Sequence, residues 1–257
     1  VTILDLDVGN SRLKWRLSDP VLGEVLEAAE PRMPEPSLMG LSGRRVERVR
    51  ISSVAGTEWN QDLARHLEAR FGVVAEFARS GQPGIIACGY VDPTLLGVDR
   101  WLAVLGAWRR CAGDAVVIDC GTAVTVDFVR RPGRHLGGHI VPGVALMVDS
   151  LLRQTADVKV PKVPKVPKVP KVPKAQAMDP QIALAPGRST AEAVQRGVVR
   201  MLADFLDASV ARFQDQCHDR AHVYVCGGDA DIIAPHMTAS VDAIPGLVLD
   251  GLAVALP

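Results

Sequence analysis

Val1-Thr2-Ile3-Leu4-Asp5-Leu6 runs straight into Asp7-Val8-Gly9-Asn10-Ser11, and the same design returns where Ala115-Val116-Val117-Ile118 meets Asp119-Cys120-Gly121-Thr122-Ala123. Each stretch reads as a strand, an aspartate, a glycine and an amide or hydroxyl residue. A second strand then follows, Arg12 to Leu17 in one case and Val124 to Val129 in the other. One such turn is ordinary hairpin chemistry. Two of them, each closing an apolar strand in its own half of the chain, suit the two jaws of a nucleotide site. Carboxylates there handle Mg²⁺ or its waters, while backbone N–H groups and hydroxyls take phosphate oxygens.

Around these turns the first half alternates strand and helix. A strand is predicted over 48–54, and Thr57 is read as the N-cap of a helix carrying Trp59, Leu63, Leu67 and Phe71 on one face, with Gly72 at its end. Gly97-Val98-Asp99-Arg100 opens a second helix with Trp101, Val104, Leu105 and Trp108 at helical spacing, ending near Gly113. The second half begins with strands at 115–119, 123–129 and 135–141 and a Pro142-Gly143 corner. A long helix is predicted from Thr190 to Gln214, then a strand over 221–226, the turn Gly227-Gly228-Asp229, a short helix and a last strand at 247–249. The pattern predicts an α/β protein with a duplicated lobe, divided into 1–113 and 114–257. Five copies of Lys-Val-Pro from Lys159 to Pro173, with Lys174 after them, interrupt the second lobe. Proline at every third position forbids helix and central strand, so 159–174 is expected to be a flexible loop with polyproline II character. Loop length inserted at a tolerant surface site costs little stability.

Composition narrows the function. The 257 residues carry no formal net charge, 48% are hydrophobic and only 4% aromatic, so nothing argues for nucleic acid as a partner. No apolar run approaches membrane-spanning length, and five scattered cysteines lack zinc or redox spacing. A reducing, cytoplasmic setting is expected. The phosphate loop Gly-x-x-x-x-Gly-Lys-Ser/Thr, the dinucleotide Gly-x-Gly-x-x-Gly and the protein-kinase set are all missing.

Asp99 is the leading candidate for a general base, at the head of a helix and after a glycine that leaves room to turn; the other reading is a helix cap. Arg100 beside it could fork onto a substrate carboxylate, and Tyr90 could line the same pocket. Lys14 could reach a phosphate. Ser189-Thr190-Ala191-Glu192 has the form of a capping box, and a helix start there could also hold an anion. His139, in Gly137-Gly138-His139-Ile140-Val141-Pro142-Gly143, is read as positional, not catalytic.

Taken in order, Asp7 to Ser11 with Lys14, Gly89-Tyr90, Gly97-Val98-Asp99-Arg100-Trp101, Asp119 to Thr125, Gly137 to Gly143 and Ser189-Thr190 resemble the type III pantothenate kinases, the group that includes the Bvg accessory factors. The resemblance runs from residue 3 to the turn at 227–229. It implies two ribonuclease-H-like lobes of the actin, sugar-kinase and Hsp70 ATPase superfamily with an interlobe ATP cleft. It also implies a homodimer that phosphorylates pantothenate with ATP, using Mg²⁺ and a monovalent cation, K⁺ or ammonium. Carried over by position, Asp7, Val8, Gly9, Asn10, Ser11, Arg12, Leu13, Lys14 and Thr122 would bind ATP. Tyr90, Gly97, Val98, Asp99, Arg100 and Thr190 would bind pantothenate, with Asp99 the proton acceptor and Thr190 supplied across the dimer. Asp119 would hold the monovalent cation, and Asp7 the Mg²⁺, directly or through water. Ser11 stands where many members carry Thr, and the Lys-Val-Pro array is not a family feature. Two other readings remain open: a nucleotide-binding regulator acting through a partner, and a kinase of the same superfamily acting on a different small hydroxy acid.

Overall fold

The computed structural model describes residues 1–19, 23–82, 84, 86–154 and 185–257; the Lys-Val-Pro array lies outside the described residues. Two five-stranded sheets are found among them. The first is built from β1 (Ile3–Val8), β2 (Arg12–Asp19), β3 (Glu24–Pro31), β4 (Arg48–Ser53) and β5 (Ala75–Phe77), in the order β3-β2-β1-β4-β5. The second uses β6 (Ala115–Cys120), β7 (Ala123–Arg130), β8 (Arg134–Pro142), β9 (His222–Cys226) and β10 (Asp242–Ala243), in the order β10-β9-β6-β7-β8. Counted from its own first strand, each sheet has the same order, and an Asp-Gly turn joins strands one and two in both. The duplication expected from the sequence is therefore carried at the level of topology.

By packing, the residues sort into two units, 1–115 with 127–137 and 246–257, and 116–126 with 138–245. In the first unit β1 pairs antiparallel with β2 and parallel with β4. Leu13, Trp15 and Leu17 alternate inward along β2, while Arg12, Lys14 and Arg16 take the other face. They join Leu4, Leu6, Val49 and Ile51 in a core closed by α1 (Thr57–Phe71) through Leu63 and Leu67. Gly72 ends that helix in the left-handed region, as expected, but the N-cap is Gly56 and Thr57 is the first helical residue. Thr57 follows a glycine already in a non-helical conformation (φ 91°), so the helix starts without a side-chain cap.

Helix α2 (Val98–Cys111) is almost wholly buried from Arg100 to Ala107. It packs against the C-terminal helix, α6 (Leu247–Ala255), at a distance only glycine permits: a Cβ on Gly251 would lie 1.8 Å from the Leu102 carbonyl oxygen. The strand expected at 247–249 is the first turn of α6 instead. Leu247, Val248 and Leu249 are all buried, and a short apolar run of this kind does not distinguish a buried helix from a strand.

In the second unit α3 (Val144–Gln154) packs against the long helix α4 (Thr190–Gln214), and the short α5 (Ala230–Ile233) follows β9. Val198, Val199, Leu202, Leu206 and Phe213 form the buried stripe of α4. No helix among the described residues is long and apolar enough to cross a membrane.

Candidate active site

The first Asp-Gly turn caps the central strand of the first sheet. Asp7 is buried and lies opposite Lys14 on β2. The Gly9 N–H closes the turn on the Arg12 carbonyl at 3.0 Å, and Asn10, Ser11 and Arg12 are exposed at its tip. Val8 and Leu13 belong to the core, so only their backbone is available to a ligand. The fold itself makes little demand for glycine at position 9: an added Cβ would stand 3.4 Å from its nearest neighbour, the Arg12 carbonyl oxygen.

The second turn repeats this closure in the second unit, with the Gly121 N–H donating to the Ala123 carbonyl at 3.1 Å and Thr122 exposed. Two further glycine segments are built against it. The Gly143 N–H donates to the Thr122 carbonyl at 3.0 Å, and the Asp229 N–H to the Cys120 carbonyl at 2.8 Å. Gly227 has φ 98°, and a Cβ there would meet Asp119 Oδ1 at 2.4 Å, so only glycine lets this turn close onto the carboxylate. Burial, with the charges of Asp119 and Asp229, pushes the Cys120 thiol up to about 12. It stays protonated and is no nucleophile.

The chemistry expected at Gly97 to Arg100 lies in the first unit. Gly97 is the N-cap of α2, with no side-chain cap, and Asp99 stands in the first helical turn. Its carboxylate accepts the Arg100 N–H at 2.8 Å. A Cβ on Gly97 would come within 2.7 Å of Asp99 Oδ1, so this glycine leaves the carboxylate its place. Burial pushes the Asp99 carboxyl above the ordinary aspartate range, while the Arg100 N–H and the Arg100 charge pull it partly back. A carboxylate at a helix head with raised basicity suits proton abstraction better than a solvated cap would.

Arg100 Nε and Nη2 donate to Asp127 on β7 at 2.9 and 2.6 Å, and Nη1 donates to the Tyr90 hydroxyl at 2.7 Å. A guanidinium with five N–H donors in one plane satisfies a buried carboxylate and a hydroxyl together with three of them. The expected residues Tyr90, Gly97, Asp99 and Arg100 therefore come together around the head of α2. Asp119, Thr122 and Thr190 belong to the second unit. Thr190 is the exposed first residue of α4, whose N-cap is Ser189. Ser189 Oγ accepts the Glu192 N–H at 3.3 Å, and the Glu192 carboxylate reaches back one residue further than a capping box, to the Arg188 N–H at 2.9 Å. His139 is exposed, with its ring edge-on to Phe205.

Two residues of the first unit's cluster, Asp127 and His135, escaped the sequence reading, which treated both as strand residues. The available signal was Asp127 itself, a carboxylate in a strand otherwise lined by Val124, Val126 and Val129.

The sequence pattern of the Type III pantothenate kinase family matches residues 3–212. The chain is 37% identical to the type III pantothenate kinase of Ectopseudomonas mendocina over 264 residues, covering 99% of each chain. In fold it resembles a Campylobacter jejuni protein described as a Baf family transcriptional activator, with a TM-score of 0.56, 19% identity and 98% and 96% of the two chains covered. It also resembles a Sinorhizobium meliloti protein described as a 2-dehydro-3-deoxygalactonokinase, with a TM-score of 0.53, 14% identity and 98% and 97% covered. A match over most of the chain, with a full-length relative well above a third identical, decides the family: this chain belongs to the type III pantothenate kinases.

Proposed function

We propose that the chain transfers the γ-phosphoryl group of ATP to the primary hydroxyl of pantothenate, giving 4′-phosphopantothenate, the first step of coenzyme A synthesis. Family membership supports the reaction and its two substrates. The observation that carries the assignment of roles is Asp99, a carboxylate pushed up by burial at the head of α2, bonded to the N–H of the Arg100 that holds the Tyr90 hydroxyl.

Phosphoryl transfer asks for positioning and charge neutralisation more than for covalent help. Asp99 takes the hydroxyl proton as the pantothenate oxygen attacks the γ-phosphorus in line and ADP leaves. Tyr90, Gly97, Val98, Arg100 and Thr190 bound the pantothenate side, and Arg100 also holds the Tyr90 hydroxyl at 2.7 Å. The backbone of Asp7 to Lys14 and the Thr122 hydroxyl take the phosphates. Mg²⁺, when bound, offsets charge on those phosphates. Asp7 offers the hard oxygen donor it prefers, and Mg²⁺ commonly completes its shell with waters and phosphate oxygens. Asp119 is our candidate ligand for a monovalent cation, K⁺ or ammonium, and the working form is a homodimer.

The test is ADP release with Mg²⁺ and either K⁺ or Na⁺, with and without pantothenate, and the product mass checked. Pantothenate-dependent ADP with K⁺ and a product one phosphate heavier are expected. Folded protein that binds ATP yet releases no pantothenate-dependent ADP would overturn the assignment.

A further inference from the structure

The head of α2 and the loop carrying Tyr90 are joined through one buried carboxylate, and this gives two residues outside the sequence-derived site a role in it. Asp127 is almost fully buried (1% exposed) and accepts from three nitrogens. Oδ2 receives Arg100 Nε at 2.9 Å, and Oδ1 is shared by Arg100 Nη2 at 2.6 Å and His135 Nε2 at 2.9 Å. His135 has no exposed surface. An ionised carboxylate only accepts, so Nε2 carries the hydrogen toward it, and Nδ1 is left to face the Gly89 N–H at 3.5 Å.

Tyr90 is therefore gripped on two sides from the same centre. Its ring stacks on His135 with centroids 6.1 Å apart and planes 18° apart. The Arg100 guanidinium lies over the same ring, 5.6 Å from its centroid, while Nη1 holds the hydroxyl at 2.7 Å. The backbone locks the loop at the same height. The Ala87 N–H donates to the Gly133 carbonyl at 2.8 Å and the His135 N–H to the Ala87 carbonyl at 2.9 Å. Gly89 passes so close that a Cβ would stand 2.2 Å from the His135 carbonyl oxygen.

Resting on the pantothenate kinase reading above, we propose that Asp127 and His135 are positioning residues for the acceptor substrate: they fix Tyr90 relative to Arg100 and Asp99, and so set pantothenate affinity without touching the substrate. A merely structural buried cluster would stabilise the unit and leave the two substrates equally affected. A positioning cluster acts on one substrate only, and only through Tyr90. His135→Ala is expected to raise the KM for pantothenate about tenfold, the scale of one lost buried contact, while the KM for ATP moves less than about twofold. His135→Gln, which keeps an N–H for Asp127, recovers most of the loss.

The deciding experiment is a double-mutant cycle on the full chain. In a Tyr90→Ala background, His135→Ala is expected to add less than about twofold to the pantothenate KM. Multiplicative effects, equal changes in both KM values, or no change in either would overturn the inference. If His135→Ala does not fold, His135→Gln is carried through the same cycle and judged by the same criteria at its smaller amplitude. Wild-type protein that turns over no pantothenate would instead refute the functional assignment, a result separate from any of these.

Discussion

Two buried arginine–aspartate pairs in the first unit are nearly identical as chemistry and opposite in use. Arg50 forks onto Asp5 at 2.6 and 2.9 Å, and Arg100 onto Asp127 at 2.9 and 2.6 Å. In both, the arginine side chain is 6% exposed and the aspartate 2%. What separates them is the nitrogen left over. Arg50 spends its Nη1 on the Leu256 carbonyl at 2.6 Å, so the pair, itself a register pair between β1 and β4, ties the end of α6 to the sheet. Arg100 spends its Nη1 on a tyrosine hydroxyl, and its aspartate takes on a histidine as well. One pair closes on backbone; the other holds Tyr90, a residue of the proposed site. Burial and an ion pair therefore do not mark function by themselves. The third hydrogen bond does.

The largest effect that would break this comparison comes from removing either aspartate. Asp5→Ala and Asp127→Ala each leave a buried guanidinium unpaired, and each is expected to cost about 3–5 kcal/mol of stability, roughly 10 °C or more in Tm for a chain of this size. Calorimetry and kinetics at a temperature where both variants stay folded should then separate them. Asp5→Ala keeps the wild-type KM for pantothenate, whereas Asp127→Ala raises it. A raised KM in both would mean the two pairs do the same work.

Gly251→Ala is next, with a Cβ 1.8 Å from the Leu102 carbonyl oxygen. The two helices must part, at an expected cost of about 1–3 kcal/mol. Gly9→Ala sharpens the contrast from the other end. Its nearest neighbour would be at 3.4 Å, so stability should stay within about 0.5 kcal/mol of wild type. Its KM for ATP should nevertheless rise several-fold if that backbone approaches a phosphate. A loss of stability without a change in ATP affinity would place the glycine's role in the fold.

What was legible in the sequence was what repeats locally. The two strand-turn-strand units, the α1 stripe of Trp59, Leu63, Leu67 and Phe71, and the Ser189 cap of α4 all stand where their patterns put them. β3 was passed over because it is mostly exposed and lacks apolar alternation. The first turn of α6 has the look of a strand because Leu247-Val248-Leu249 is a short, unbroken apolar run. The Tyr90–Arg100–Asp127–His135 cluster was half legible. Tyr90 and Arg100 sit in motifs, but Asp127 lies 27 residues beyond Arg100 and is joined to it only by folding. Arg100's internal partner is hidden for the same reason, since local pattern does not reach it.

The most direct test of the central claim is Asp99→Asn, followed by turnover and thermal unfolding together across pH. Because burial raises the folded carboxyl above its unfolded value, the ionised form costs stability, and that cost appears as pH rises through the folded value. The account predicts that Asp99→Asn loses at least about a hundredfold in kcat, the scale of general-base catalysis, while its Tm at neutral pH holds or rises. Wild-type kcat/KM should fall toward acid as Asp99 protonates. An Asp99→Asn protein that keeps near-wild-type kcat, or whose loss of activity follows a loss of folding, would contradict the assignment of Asp99 as the base.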